Sequence, residues 1–123
     1  MIFKDNKAIY LQIASLICDQ VLTGKLETDG KVPSVRETAA LVEVNANTVA
    51  RSYEYLQNQG IIYTKRGLGY FVAPEAEAVI MKLRREQLLH GDVQDLFRQL
   101  STIGIDPDEL RNMYQEFLKS KKL

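Results

Sequence analysis

Residues 34–72 read SVRETAALVEVNANTVARSYEYLQNQGIIYTKRGLGYFV. The spacing of caps, apolar positions and glycines in this stretch decides the fold. Ser34 stands before Val35-Arg36-Glu37, with hydroxyl and carboxylate at the separation of a capping box, so a helix begins at Val35. Ala39, Ala40 and Leu41 continue it, and the chain turns across Val42–Val44. Asn45 is the next cap candidate. Val49, Tyr53 and Leu56 then recur on one side of a helix over 46–58, which Gly60 stops. Two short β-prone runs, Ile61–Thr64 and Tyr70–Val72, flank Lys65-Arg66-Gly67-Leu68-Gly69. They predict a hairpin with a basic, glycine-rich tip, its connection too long for the two-residue Asn-Gly type.

Upstream, IYLQIASLICDQVL (9–22) carries Ile9, Ile13, Leu16, Ile17 and Gln20 within one broad helical face, and Thr23-Gly24 ends it. A second stripe of Leu11, Ser15, Cys18 and Leu22 lies roughly opposite, so this helix is expected to touch two neighbours: the core and another element or subunit. Downstream, Pro74 marks a boundary. A helical pattern follows with Ala76, Val79, Ile80, Leu83 and Gln87 on one face, broken at Gly91. Val93, Leu96, Phe97 and Leu100 give a further helical stretch ending near Ile103-Gly104. Asp106-Pro107-Asp108-Glu109 is a strong helix start, with Leu110, Met113, Tyr114, Phe117 and Leu118 as the stripe behind it. The fold class is therefore mainly α with a small β-hairpin. Residues 1–73 form a winged helix-turn-helix, and residues 74–123 a helical extension.

Such a domain presents its third helix to a nucleic-acid groove. With Val49, Tyr53 and Leu56 inward, the helical wheel turns Asn47, Arg51, Glu54 and Asn58 outward, flanked by Thr48 and Tyr55. Carboxamides, a hydroxyl and a guanidinium suit base edges and phosphates. Lys65 and Arg66 add cations at the hairpin tip, while Gly67 and Gly69 allow close backbone approach. Each feature has a plainer reading: Asn45, Asn47 and Thr48 as helix-start residues, Arg51 as a solvated cation, the tip as a turn. Their order and spacing together favour double-stranded DNA as partner, with Glu54 as a counterweight. The alternative is a winged helix that docks a protein.

Composition narrows the rest. The 123 residues include 16 basic and 16 acidic side chains, so attraction to nucleic acid by bulk charge is excluded and any such binding is local to one face. The single cysteine, Cys18, cannot form an internal disulfide, which fits a reducing cytoplasm. The first residues, MIFKDNKAIY, have no signal-peptide pattern, and no apolar run is long enough to span a membrane. Cys18 and the one histidine, His90, lie far apart without a supporting motif. Neither catalytic residues nor a metal or cofactor site is expected. A small-molecule effector is compatible with such a chain, but no residue group is identified that would hold one.

The stretch resembles the GntR family of bacterial transcription regulators, and within it the short, YtrA-like branch. The resemblance rests on Phe3 and Asp5, Ile9-Tyr10-x-Gln12-Ile13, Gly24-Lys25-Leu26, the run from Lys31 to Glu37, the run from Val44 to Arg51, Tyr53, Leu56, Gly60-Ile61-Ile62, and Arg66-Gly67-x-Gly69-Tyr70-Phe71-Val72. It implies a cytoplasmic homodimer on a palindromic operator, commonly a repressor. Ser34 and Arg36 would then sit at the second helix, Asn45, Asn47, Thr48 and Arg51 on the third, and Lys65, Arg66, Gly67 and Gly69 at the wing. The sequence departs from the wider family at Glu43, where glycine is common, and at Ala46 and Ala50, where arginines are common. The contact burden therefore shifts to Arg36, Asn47 and Arg51. The apolar stripes after residue 74 need burial, and the expected solution is packing against the first helix, whose Leu11, Cys18 and Leu22 stripe is spare, and against the same region of a partner.

Overall fold

The computed structural model describes residues 7–121, so Phe3 and Asp5 of the resemblance lie outside the described residues. In chain order the elements are α1 (Ile9–Leu22), α2 (Val35–Val42), α3 (Ala46–Asn58), β1 (Ile62–Lys65), β2 (Gly69–Val72), α4 (Ala76–His90), α5 (Asp92–Thr102) and α6 (Pro107–Ser120). The chain divides into two compact units, and the division falls within α4, between Leu83 and Arg84.

In the first unit, α1 and α3 pack on each other, α2 packs on α3, and the hairpin follows α3. The core is made of Ile13, Ala14, Ile17, Cys18 and Val21 from α1, Val49, Tyr53 and Leu56 from α3, and Val32, Ile61, Ile62 and Val72 around the hairpin. Ala76 and Ile80, one helical turn apart at the start of α4, join the same cluster. Of the second stripe of α1, Cys18 is buried in this core and Leu22 packs against it, while Leu11 and Ser15 are half-buried. At roughly 1.5–3 kcal/mol for each fully buried large apolar side chain, this cluster is the main force holding the three helices against the hairpin.

Local chemistry ends the helices where the sequence predicts. Ser34 Oγ accepts the Glu37 amide at 3.1 Å and Glu37 Oε1 accepts the Ser34 amide at 2.8 Å, a complete capping box. Because the carboxylate accepts the Ser34 N–H, and the hydroxyl lies beside it, Glu37 titrates below the ordinary glutamate range. At the other end of α2, Glu43 adopts the left-handed conformation with φ 57° and ψ 47°. This is the helix-end position that favours glycine. Gly60, at φ 81°, closes α3 in the same way.

Against the predicted limits, β1 is shifted along by one residue and β2 begins one residue earlier. Ile62 pairs with Val72 and Lys65 with Gly69, while Ile61 stays outside the ladder. Ile61 instead accepts the Ala73 amide at its carbonyl and buries its side chain in the core. A third segment, not foreseen, extends the sheet. Lys31 bridges Phe71, the Val32 amide donates to the Tyr70 carbonyl at 2.9 Å, and the Val72 amide donates to the Gly30 carbonyl at 2.9 Å. The wing is thereby tied to the loop that precedes α2.

In the second unit, α6 starts as predicted: Asp106 Oδ1 accepts the Glu109 amide at 2.8 Å and Pro107 occupies the first turn. Neither α5 nor α6 contains a buried residue within one chain. Leu110 is partly covered, whereas the rest of the α6 stripe stays exposed, Phe117 at 56%.

Candidate nucleic-acid interface

Every residue singled out for DNA contact falls in the first unit. Asn45 performs the capping role: its Oδ1 accepts the Asn47 amide at 2.7 Å, which commits that oxygen to the start of α3. Asn47 and Arg51 are exposed and Thr48 is half-buried, all on the first turns of α3. Opposite them, Val49, Ser52, Tyr53 and Leu56 are fully buried, so the outward face cannot rotate without breaking the core. Among the described residues the Asn47 carboxamide has no partner, and its donor and acceptor stay open to a ligand.

The tilt of α3 is fixed by polar contacts as well as by packing. Tyr53 Oη donates to the Pro33 carbonyl at 2.6 Å, and lies 2.7 Å from Thr38 Oγ1. The phenol has one hydrogen and gives it to Pro33, so Thr38 is the donor in the second bond. One buried hydroxyl thus connects α2, α3 and the loop before α2, and burial raises the Tyr53 pKa. On the other flank Ser52 Oγ donates to the Tyr10 carbonyl at 2.7 Å, joining α3 to the first turn of α1. Thr38 and Ser52 are absent from the sequence reading, because a small hydroxyl at an inward position carries no periodic signal.

Arg51 has a specific seat. Its guanidinium carbon stands 4.0 Å from the centroid of the Tyr10 ring, a cation–π contact. Tyr10 in turn meets Tyr55 edge to face, with centroids 6.3 Å apart.

At the wing, the Leu68 amide donates to the Lys65 carbonyl at 2.9 Å, closing a turn whose third residue, Gly67, has φ 78°. A side chain is strained at that position, which is why glycine stands there. Arg66 and Gly67 form the exposed tip, and Leu68 beside them is 61% exposed. Lys65 leans back along the sheet, its Nζ 4.5 Å from the Phe71 ring centroid. Gly69, at φ 108°, begins β2 next to the Lys31 side chain.

The structure brings the start of α2 and the wing together. Ser34, Arg36, Leu68, Gly69, Tyr70 and Lys31 line one open cleft of about 400 Å³. Arg36 and Lys31, both exposed, supply its cations. Lys31 and Tyr70 belong to this surface although the sequence reading did not single them out; the bridge between Lys31 and Phe71 is what carries them there. No group of three or more metal-ligating side chains occurs among the described residues. None of the helices described is long and apolar enough to cross a membrane.

A capped, half-exposed third helix beside a glycine-tipped hairpin defines the class of winged helix-turn-helix DNA-binding proteins. The model of the family "Bacterial regulatory proteins, gntR family" matches residues 9–72, from the start of α1 to the end of β2. The chain is 35% identical over 108 residues to the HTH-type transcriptional regulator YhcF of Bacillus subtilis, covering 88% of each protein. It is 27% identical over 113 residues to the HTH-type transcriptional repressor YtrA of the same organism, covering 92% of this chain and 86% of that one. A crystal structure of a GntR-family transcriptional regulator from Bacteroides thetaiotaomicron superposes with a TM-score of 0.84 at 54% identity, over 94% of this chain and all of the other. The protein belongs to the GntR family and is a sequence-specific DNA-binding transcription regulator, not an enzyme.

Proposed function

We propose that the protein is a cytoplasmic repressor of the short, YtrA-like branch, which binds a palindromic operator as a homodimer and blocks transcription sterically. Asn47, Thr48 and Arg51 read base edges in the major groove, Asn45 holds the turn that presents them, and Ser34 and Arg36 hold flanking phosphates. Lys65 and Arg66 contact the adjacent backbone or minor groove, with Gly67 and Gly69 permitting close approach. Residues 1–73 bind DNA, and residues 74–123 pair the subunits.

The observation that carries the reading is the geometry of α3. Its inward face is immobilised by Val49, Ser52, Tyr53 and Leu56 while Asn47 and Arg51 stay exposed beside a capped N-terminus. The pairing role is supported by Leu96, Phe97, Met113, Tyr114, Phe117 and Leu118, all exposed within one chain on helices that bury nothing themselves. A set of large apolar side chains left open in this way marks an interaction surface. Repression is supported by the similarity to YtrA, a repressor by name.

In vitro selection of duplexes from a random library by the purified full-length protein tests this directly. It should enrich an inverted repeat. A pool without enrichment contradicts sequence-specific binding, and an enriched site without symmetry contradicts the homodimer on a palindrome.

A further inference from the structure

Arg51 sits on the exposed side of α3, yet its guanidinium is not left to wander through solvent. It lies over the ring of a tyrosine from another helix, 4.0 Å from the ring centroid. That tyrosine is itself held at two points by the next residues of α3. Ser52 Oγ donates to the Tyr10 carbonyl at 2.7 Å, and Tyr55 packs edge-on against the ring at 6.3 Å. Residues 51, 52 and 55 of α3 therefore all converge on Tyr10. Among the described residues, no carboxylate pairs with Arg51 and no hydrogen bond engages it.

The chemistry of the contact matters. A guanidinium held over an aromatic face by cation–π attraction spends no conventional hydrogen bond on the contact, so its five N–H donors remain available. An ion pair would instead consume those donors. The cation–π contact restricts the rotamers of a long side chain without spending any group that could recognise a base edge or a phosphate. Restriction before binding lowers the entropy cost of ordering that side chain at an interface.

We infer that Tyr10 is the positioning residue for Arg51, an aromatic seat that pre-orients the guanidinium for DNA without itself touching the duplex. The inference rests on the proposed role of Arg51 at the interface. It assigns a part in recognition to α1, a helix that otherwise serves the core.

The test is a double-mutant cycle on the full-length protein, titrated against the duplex recovered by selection with the wild type and against a scrambled duplex. Tyr10→Leu should weaken binding of the selected duplex about two- to fivefold, the loss expected for one cation–π contact, and leave the scrambled duplex unchanged. Tyr10→Phe keeps the ring face and should bind like the wild type. In an Arg51→Ala background, Tyr10→Leu should cause no further loss. A merely structural Tyr10 would weaken binding equally in both backgrounds, and that result overturns the inference. Equal losses for Tyr10→Phe and Tyr10→Leu overturn it too, because they assign the effect to the hydroxyl. Unchanged affinity in Tyr10→Leu, with Arg51→Ala impaired, removes the seat but leaves the interface standing. If selection with the wild type enriches nothing, the interface fails, and the role of Tyr10 with it.

Discussion

At the scale of single residues, the interface depends on groups that do two jobs. Asn45 and Ser34 each suit both a cap and a DNA contact, and each is engaged as a cap through its side-chain oxygen. Asn47, two residues along, keeps the uncommitted carboxamide, so residue type alone does not distinguish the two asparagines; the hydrogen bond does. Glu43 shows a cost carried by this chain. Held at φ 57°, it occupies a conformation that burdens an L-residue by about 1–2 kcal/mol, while glycine would lose some stability through its more flexible unfolded chain. Glu43→Gly should therefore stabilise the protein by about 0.5–1 kcal/mol. Its urea midpoint should rise at unchanged slope; an equal or lower midpoint would show that Glu43 makes a compensating contact.

Secondary-structure elements were the most legible level, because their ends are set by short-range chemistry. The starts of α2, α3 and α6 follow from Ser34 with Glu37, from Asn45, and from Asp106 with Pro107, each confirmed by a cap bond to a backbone amide. What the sequence did not reveal is non-local. The Lys31–Phe71 bridge, the Tyr53 hydroxyl between Pro33 and Thr38, and the Arg51–Tyr10 contact join distant segments, and no periodicity encodes them. The capping box gives a pH prediction with a definite sign. Glu37 has a folded pKa below its unfolded value near 4.5, so its ionised form stabilises α2 fully above that value. That contribution is lost as pH falls through the depressed folded pKa. Glu37→Gln should be less stable than the wild type at neutral pH, and denaturation midpoints of the two should converge in acid. A pH-independent gap would contradict the role of the carboxylate. The wing gives another prediction. Lys65→Ala should weaken selected and scrambled duplexes alike and reduce the salt slope of binding by about one, as expected for one lost phosphate contact. An unchanged slope would remove Lys65 from the backbone contacts.

For the molecule as a whole, the proposed pairing rests on the apolar side chains of α5 and α6 that one chain leaves exposed. Their stripes were readable from spacing, but which surface covers them was not, since one chain's sequence does not distinguish an intramolecular neighbour from a second copy. The structure leaves Phe117 and Leu118 more than half exposed, which favours the second copy. Replacing Leu110 and Phe117 together by alanine should shift sedimentation from dimer toward monomer while circular dichroism retains the helices; a normal dimer would place the interface elsewhere. Dimerisation serves recognition because a two-fold pair can set two third helices in successive major grooves, about 34–36 Å apart. Hydroxyl-radical footprinting on the selected duplex tests that arrangement most directly. The account predicts two protected half-sites related by dyad symmetry, with centres about 10–10.5 base pairs apart or a multiple of that spacing, on one side of the helix. A single protected half-site at saturation, or two on opposite sides of the duplex, would contradict it.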